Sequence, residues 1–398
     1  MRRSTVLTWC AALLAACGTA QGIEGPGSSD VLFVRTAAGL SALPVAGGAP
    51  RTLPGGVASF DLGTLATTEW GDDSTTLKRL SPRGEQLASA TLEGRLRARL
   101  VSGSGELVAL TASEDGGDVY MPAPRPRTRI VVVDETGREA RYALNGNFEP
   151  EAFSTDDREL FMIEYVPPLA PERYRVRRLR LRDGRVLPIG RLKLNAPGQM
   201  QGTGRTQVHS PGGEELYTLY TQQDDAGHAA EDHGSEAHAF VHVLNLEDSW
   251  AHCIDLPQVF GRGSASASAI TTDPYGLNVF VVDWTHGVVA SLNPSKVRVR
   301  ETAHLHLGDP DEQTFATATD DRLFVGGNDE VVVIDTEDMQ IVDRWNMDGE
   351  VIGLRTSRDR ERVYVATPGR VTAIDLDGND LFGFDAPGAT GFEEVWQP

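Results

Sequence analysis

The chain has 398 residues, with 37 Lys+Arg against 57 Asp+Glu, a formal net charge of −20 at pH 7. A balance this acidic excludes the basic footprint that nucleic-acid binding and broad adhesion to anionic lipid require. Of three cysteines, Cys10 and Cys17 lie at the N-terminal end and only Cys253 lies beyond it. No disulfide framework is available there, so the fold must rest on burial, which a chain of this length can supply.

In chain order, Arg2 and Arg3 form a charged head, and Val6–Ala16 is an apolar run too short to anchor stably across a bilayer. It ends in Leu14-Ala15-Ala16-Cys17-Gly18. Head, short core and small residues at the end read as an export signal. The final five residues resemble the lipobox of bacterial lipoproteins, a resemblance confined to this segment. It implies a signal peptide over residues 1–16, acylation of Cys17 (the palmitate-type lipid of such proteins) as the mature N-terminus, and an exported protein held in the cell envelope. The lipid would sit in the outer face of the cytoplasmic membrane or in the outer membrane. Loss of Arg2 and Arg3 takes Lys+Arg to 35 against 57 acids, a charge of −22, so the lipid must do the anchoring. Residues 17–29 are rich in Gly and Ser and read as a flexible tether reaching roughly 20 Å.

From Asp30 onward, short β-rich runs alternate with turn residues. Residues 321–335 (DRLFVGGNDEVVVID) and 361–375 (ERVYVATPGRVTAID) align at an offset of 40 without a gap. Arg322/Arg362, Val325/Val365, Val331/Val371, Ile334/Ile374 and Asp335/Asp375 are identical pairs. A 40-residue unit of strand, turn, strand and acid predicts a propeller blade. Looser units begin near Leu277, Glu215, Glu159 and Glu106, and a weak one spans 57–92. The expected fold is therefore all-β, a single β-propeller of four-stranded blades over residues 30–398. Residues 30–53 supply about three strands and Gly391–Trp396 could supply the fourth, which makes eight blades; if 30–92 is one blade, there are seven. The repeats resemble the YVTN/WD40-like propellers of exported bacterial proteins. That resemblance concerns fold, and its members include binding scaffolds, metallochaperones and a few enzymes.

Insertions mark where to look for function, because loops on a rigid scaffold carry binding. With strands named A to D from the inside, three consecutive units have enlarged B–C connections: 112–127, 165–173 and 221–239. All B–C connections of a propeller lie on one face, so these predict a raised rim over one arc. In the first loop, Tyr120, Met121, Arg125 and Arg127 are of types enriched at interfaces and are the candidate partner-binding residues. The third loop sets His228, His233 and His238 five residues apart among Asp224, Asp225, Glu231, Asp232 and Glu236. Imidazole and carboxylate suit zinc, so His228, Glu231, Asp232, His233, Glu236 and His238 are candidate metal ligands, without the tight spacing of a zinc motif. All nine His fall between 209 and 306. A run of Arg from Arg175 to Arg185 reads as a solvated blade edge, and Cys253 as a small buried hydrophobe.

No G-x-S-x-G, H-E-x-x-H, C-x-x-C or P-loop motif occurs, so nothing points to an enzyme. The primary expectation is a non-enzymatic, membrane-tethered propeller that binds an envelope protein or ligand through its rim. The alternatives are a zinc-binding or metallochaperone lipoprotein and an outer-membrane assembly lipoprotein. For the last, only Asp134-Glu135-Thr136-Gly137 and Ile334-Asp335-Thr336 with Trp345 approach the blade pattern of the lipoprotein propeller of the outer-membrane β-barrel assembly machinery.

Overall fold

Runs rich in Val, Leu, Ile and aromatic residues, each closed by a turn residue, become antiparallel strands. A computed structural model of the chain describes residues 29–37, 39–112, 122–191, 200, 204–221, 237–309 and 313–396. The leader with Cys17, and Tyr120, Met121, His228, Glu231, Asp232, His233 and Glu236, lie outside the described residues. The described strands form eight sheets, each an antiparallel blade, and a single 3₁₀ turn at Ala265–Ala267 accompanies them.

Blade 1 is closed by both ends of the chain. Val31–Thr36, Gly39–Pro44 and Arg51–Leu53 are its B, C and D strands, and Ala389–Trp396 is its A strand. Val31 pairs with Trp396 and Phe33 with Glu394 across this seam. The expected fourth strand is therefore present, and the ring has eight blades, not seven. The weak unit at 57–92 is a full blade 2 whose A strand is only Val57–Ala58. Too short to show alternation, that strand explains the faint signal.

The A strands of blades 3 to 8 are Leu96–Val101, Asn147–Phe153, Gly204–His209, Ser268–Thr272, Phe315–Ala318 and Gly353–Thr356. Gly190–Arg191 adds a fifth, parallel strand outside blade 5. Eight clusters of buried apolar side chains lie one at each junction between neighbouring blades. Each blade is thus apolar on both faces and needs two neighbours, which only a closed ring provides throughout. Fully burying one such Val, Leu, Ile or Phe is worth about 1.5–3 kcal/mol.

The identical positions of blades 7 and 8 now have physical roles. Val325, Val331 and Ile334, with Val365 and Val371, are fully buried. Asp335 Oδ1 accepts the backbone N–H groups of Glu337 and Asp338, and Asp375 Oδ1 accepts those of Asp377 and Asn379. The acid ending each C strand is a turn lock that satisfies backbone donors.

Candidate functional site

Strand alternation puts the B–C connections and the D-to-next-A connections on one face, and the A–B and C–D turns on the other. The three enlarged B–C connections fall in blades 3, 4 and 5, where expected. The second is shorter than its sequence range, because the strands run through to Val166 and resume at Arg173. The first two loops are joined. Arg125 N–H donates to Pro168 C=O at 3.0 Å, and Asn147 Nδ2 donates to the carbonyls of Ala123 at 3.2 Å and Pro168 at 3.4 Å.

At the strand ends that bear the second and third loops runs an aromatic ladder. Ring centroids are 6.0 Å apart for Tyr165–Tyr174, 5.2 Å for Tyr174–Tyr220 and 5.0 Å for Tyr220–Phe240. Met200 seals it, exchanging two backbone hydrogen bonds with Tyr174. Met200 belongs to the D-to-A connection from blade 4 to blade 5. Counting only B–C insertions missed this segment, although the long turn-rich stretch before Gly204 was visible in the sequence.

The described candidate residues divide. Arg125 is buried, 8 % exposed. Its Nη2 donates to Phe148 C=O at 2.5 Å and to the Glu149 carboxylate, and its Nε donates to Thr128 Oγ1 at 3.1 Å. Bound through Nε and Nη2 inside the wall, Arg125 holds the base of the first loop. Arg127 is exposed at the start of its strand. His238 is buried at the end of the third loop, and its backbone packs against Gly261. Among the described residues, no group of three or more His, Cys, Asp or Glu is placed to hold a metal.

The Arg run on blade 4 is charge-paired. Arg175 and Arg177 meet Glu164 at 2.6 and 2.8 Å, Arg178 meets Glu159 at 3.1 Å, and Arg180 meets Asp183 at 2.7 Å. Burial works against the Glu164 charge, yet its two arginine hydrogen bonds hold the carboxyl below the usual range. Cys253 lies opposite His242 on the neighbouring strand, and burial pushes its thiol up, away from the reactive thiolate. His304 ends the D strand of blade 6, and both it and His306 are exposed.

The central channel is asymmetric. On the side of blades 3 to 5 its wall is charged: Arg99 meets Glu149 at 2.8 Å, while Glu151 accepts from Arg205 at 2.7 Å and from Gln207 at 2.6 Å. Burial pulls the Arg205 guanidinium down, but the neighbouring Glu151 more than offsets it, while burial itself raises the Glu151 carboxyl in spite of Arg205 and Gln207. On the side of blades 5 to 8 the wall carries hydroxyls, such as Thr317 and Thr356 at 3.2 Å, and encloses a cavity of about 720 Å³ that opens toward the A–B turns. Phe60, from the A–B turn of blade 2, reaches over the mouth. Its ring is 5.3 Å from that of His209 on blade 5 and fills the space a side chain at Gly213 would need. Gly213 has φ +79°, a second reason that only glycine fits there.

The fold and this double-sided ring define the protein as an eight-bladed β-propeller. No protein-family model matches the chain, and no curated protein matches it. Among solved structures, Sqt1 of Saccharomyces cerevisiae is similar at 12% identity and TM-score 0.51, covering 84% of this chain and 85% of that one. The dihydro-heme d1 dehydrogenase NirN, in complex with DHE, is similar at 12% identity and TM-score 0.50, covering 96% of this chain and 78% of that one. TolB of Acinetobacter baumannii is similar at 14% identity and TM-score 0.36, covering 70% of this chain and 67% of that one. At these identities the likeness is one of fold. One neighbour is a dehydrogenase by name, so the architecture alone decides nothing about catalysis.

Proposed function

We propose that this chain is an exported lipoprotein, anchored through Cys17, whose propeller is a non-enzymatic scaffold that binds an envelope protein through the rim of blades 3 to 5. The observation that carries the reading is the continuity of that rim. Two loops are hydrogen-bonded to each other at Pro168, and the strand ends that bear the second and third are joined by one aromatic ladder. Insertions that drift independently at loop tips have no reason to share a floor. Arg127 is of a type enriched at interface hot spots, and Leu169, 62 % exposed, adds an apolar side chain to the same rim.

A matched pair of sites tests this. A photo-crosslinking residue at Leu169 on the rim should trap an envelope protein in cells, while one at Leu277, 61 % exposed on the opposite face, should not. Equal trapping at both, or none at Leu169, counts against the rim. Labelling with a palmitate analogue should be lost in Cys17→Ser; retained labelling removes the anchor.

A second reading rests on the composition of residues 224–238, where three His and five carboxylates give zinc a donor set. A metal-handling lipoprotein of this kind would bind zinc moderately, since its ligands lie in a long loop that must be ordered around the ion.

A further inference from the structure

The channel cavity faces away from the rim, toward the A–B turns, and the partner-binding reading does not use it. Its volume of about 720 Å³ lies within the range of small-molecule sites. Its walls are partly apolar, through Val208, Ile270 and Phe315, and the exposed part of the Phe60 ring stands at its edge.

The charges around it are mostly spent. Asp61 accepts from Ser59 and Gly63 in its own turn. Asp273 accepts from Tyr275, Leu277 and Asn278 in its own. Glu394 pairs with Arg355 at 3.3 Å, and Arg360 pairs with Asp320 at 3.0 Å while lying over the Tyr275 ring. Arg358 lines the same cavity, and among the described residues no acceptor meets its guanidinium. The uncommitted charge of this cavity is thus a cation, in a chain of net charge −20. Thr314 also lines it. This residue is 6 % exposed, and its hydroxyl has no hydrogen-bond partner among the described residues, a deficit that buried polar groups rarely carry.

We infer that the channel mouth between blades 5 and 8 binds a small aromatic anion, with Arg358 pairing the anionic group and the Phe60–His209 edge receiving the ring. An aromatic body suits the tilted ring pair and the apolar wall, because such rings gain from offset or edge contact beyond area burial. A phosphate or carboxylate suits a guanidinium with free donors. His209 stays uncharged at neutral pH because burial lowers it to about 4, so it stacks without adding charge.

The test is calorimetry on the full chain with phenylphosphate, inorganic phosphate and benzyl alcohol as probes. Phenylphosphate should bind most tightly. Arg358→Ala should weaken it about tenfold, the scale of one charge-assisted hydrogen bond, and leave benzyl alcohol unchanged. Arg158→Ala, an exposed arginine of the blade 4 turn on the same face, should change nothing. Phe60→Ala should weaken phenylphosphate but not inorganic phosphate. Arg358 is exposed, so its variant keeps the fold and the result stays readable. No phenylphosphate binding, or equal binding by Arg358→Ala, overturns the inference. Equal loss of both phosphates in Phe60→Ala overturns its aromatic half.

Discussion

His209 is a base that the fold keeps from its proton. It ends the A strand of blade 5 under the Phe60 ring, and burial brings its pKa from 6.5 to about 4. Between those values the unfolded chain holds a proton that the folded chain does not, so stability rises with pH across this window. The contribution is complete above pH 6.5 and is lost progressively as pH falls toward 4, roughly 3 kcal/mol in total. His209→Gln should remove this slope. Urea unfolding at pH 7 and pH 5 should show a clearly smaller loss in the variant than in the parent; parallel losses would mean that His209 does not titrate as argued. The sequence showed His209 only as the first of nine His, all between 209 and 306. It did not reveal the partner ring, because Phe60 is 149 positions away and reaches His209 only through the curvature of the ring.

At the scale of elements, the B–C hairpins were legible because their strands are near-continuous apolar, β-rich runs and their connections are not. The hairpin of blade 5 closes on its own ladder, with Tyr220 opposite Phe240 and Leu219 opposite Val241. Its long insertion is therefore not needed to hold the strands together. Deleting 224–236 should leave the circular dichroism and the melting temperature within a few degrees of the parent, and should abolish zinc binding measured by calorimetry if the loop is a metal site. Unfolding on deletion would make the segment structural, and zinc binding retained by the deletion would place the ion elsewhere. Arg125 shows where element-level reading stops. Its residue type suits an interface, and its neighbours in sequence are those of a loop. The strand Asn147–Phe153 brings Glu149 and the Phe148 carbonyl beneath it and turns it into a support. Composition had no access to that distance.

For the whole molecule, closure is the decisive event. The strand Ala389–Trp396 is the innermost of blade 1, and Tyr364 Oη donates to the buried Asp30 carboxylate at 2.8 Å, tying blade 8 to the first residues of the ring. Ending the chain at Gly388 removes that strand and exposes the apolar cluster shared by blades 8 and 1, including Leu32, Val34 and Tyr364. Such a truncation should abolish cooperative urea unfolding. Tyr364→Phe should cost only about 1.5–3 kcal/mol, the range for a lost hydrogen bond to a charged group. A truncated chain that still unfolds in one cooperative transition at the parent midpoint would refute closure as the source of stability.

The sequence by itself determined the blade, its 40-residue period, the apolar positions of its strands and the acids that lock its turns. These depend on contacts within one repeat, where spacing along the chain is spacing in the fold. It also marked the three enlarged loops, since an insertion is a break in a local rhythm. Only the tertiary structure decided the blade count, the bonding of the first two loops at Pro168, the burial of Arg125, and the division of the channel into a charged wall and an open cavity. Each of these depends on residues tens to hundreds of positions apart, brought together when the last strand pairs with the first.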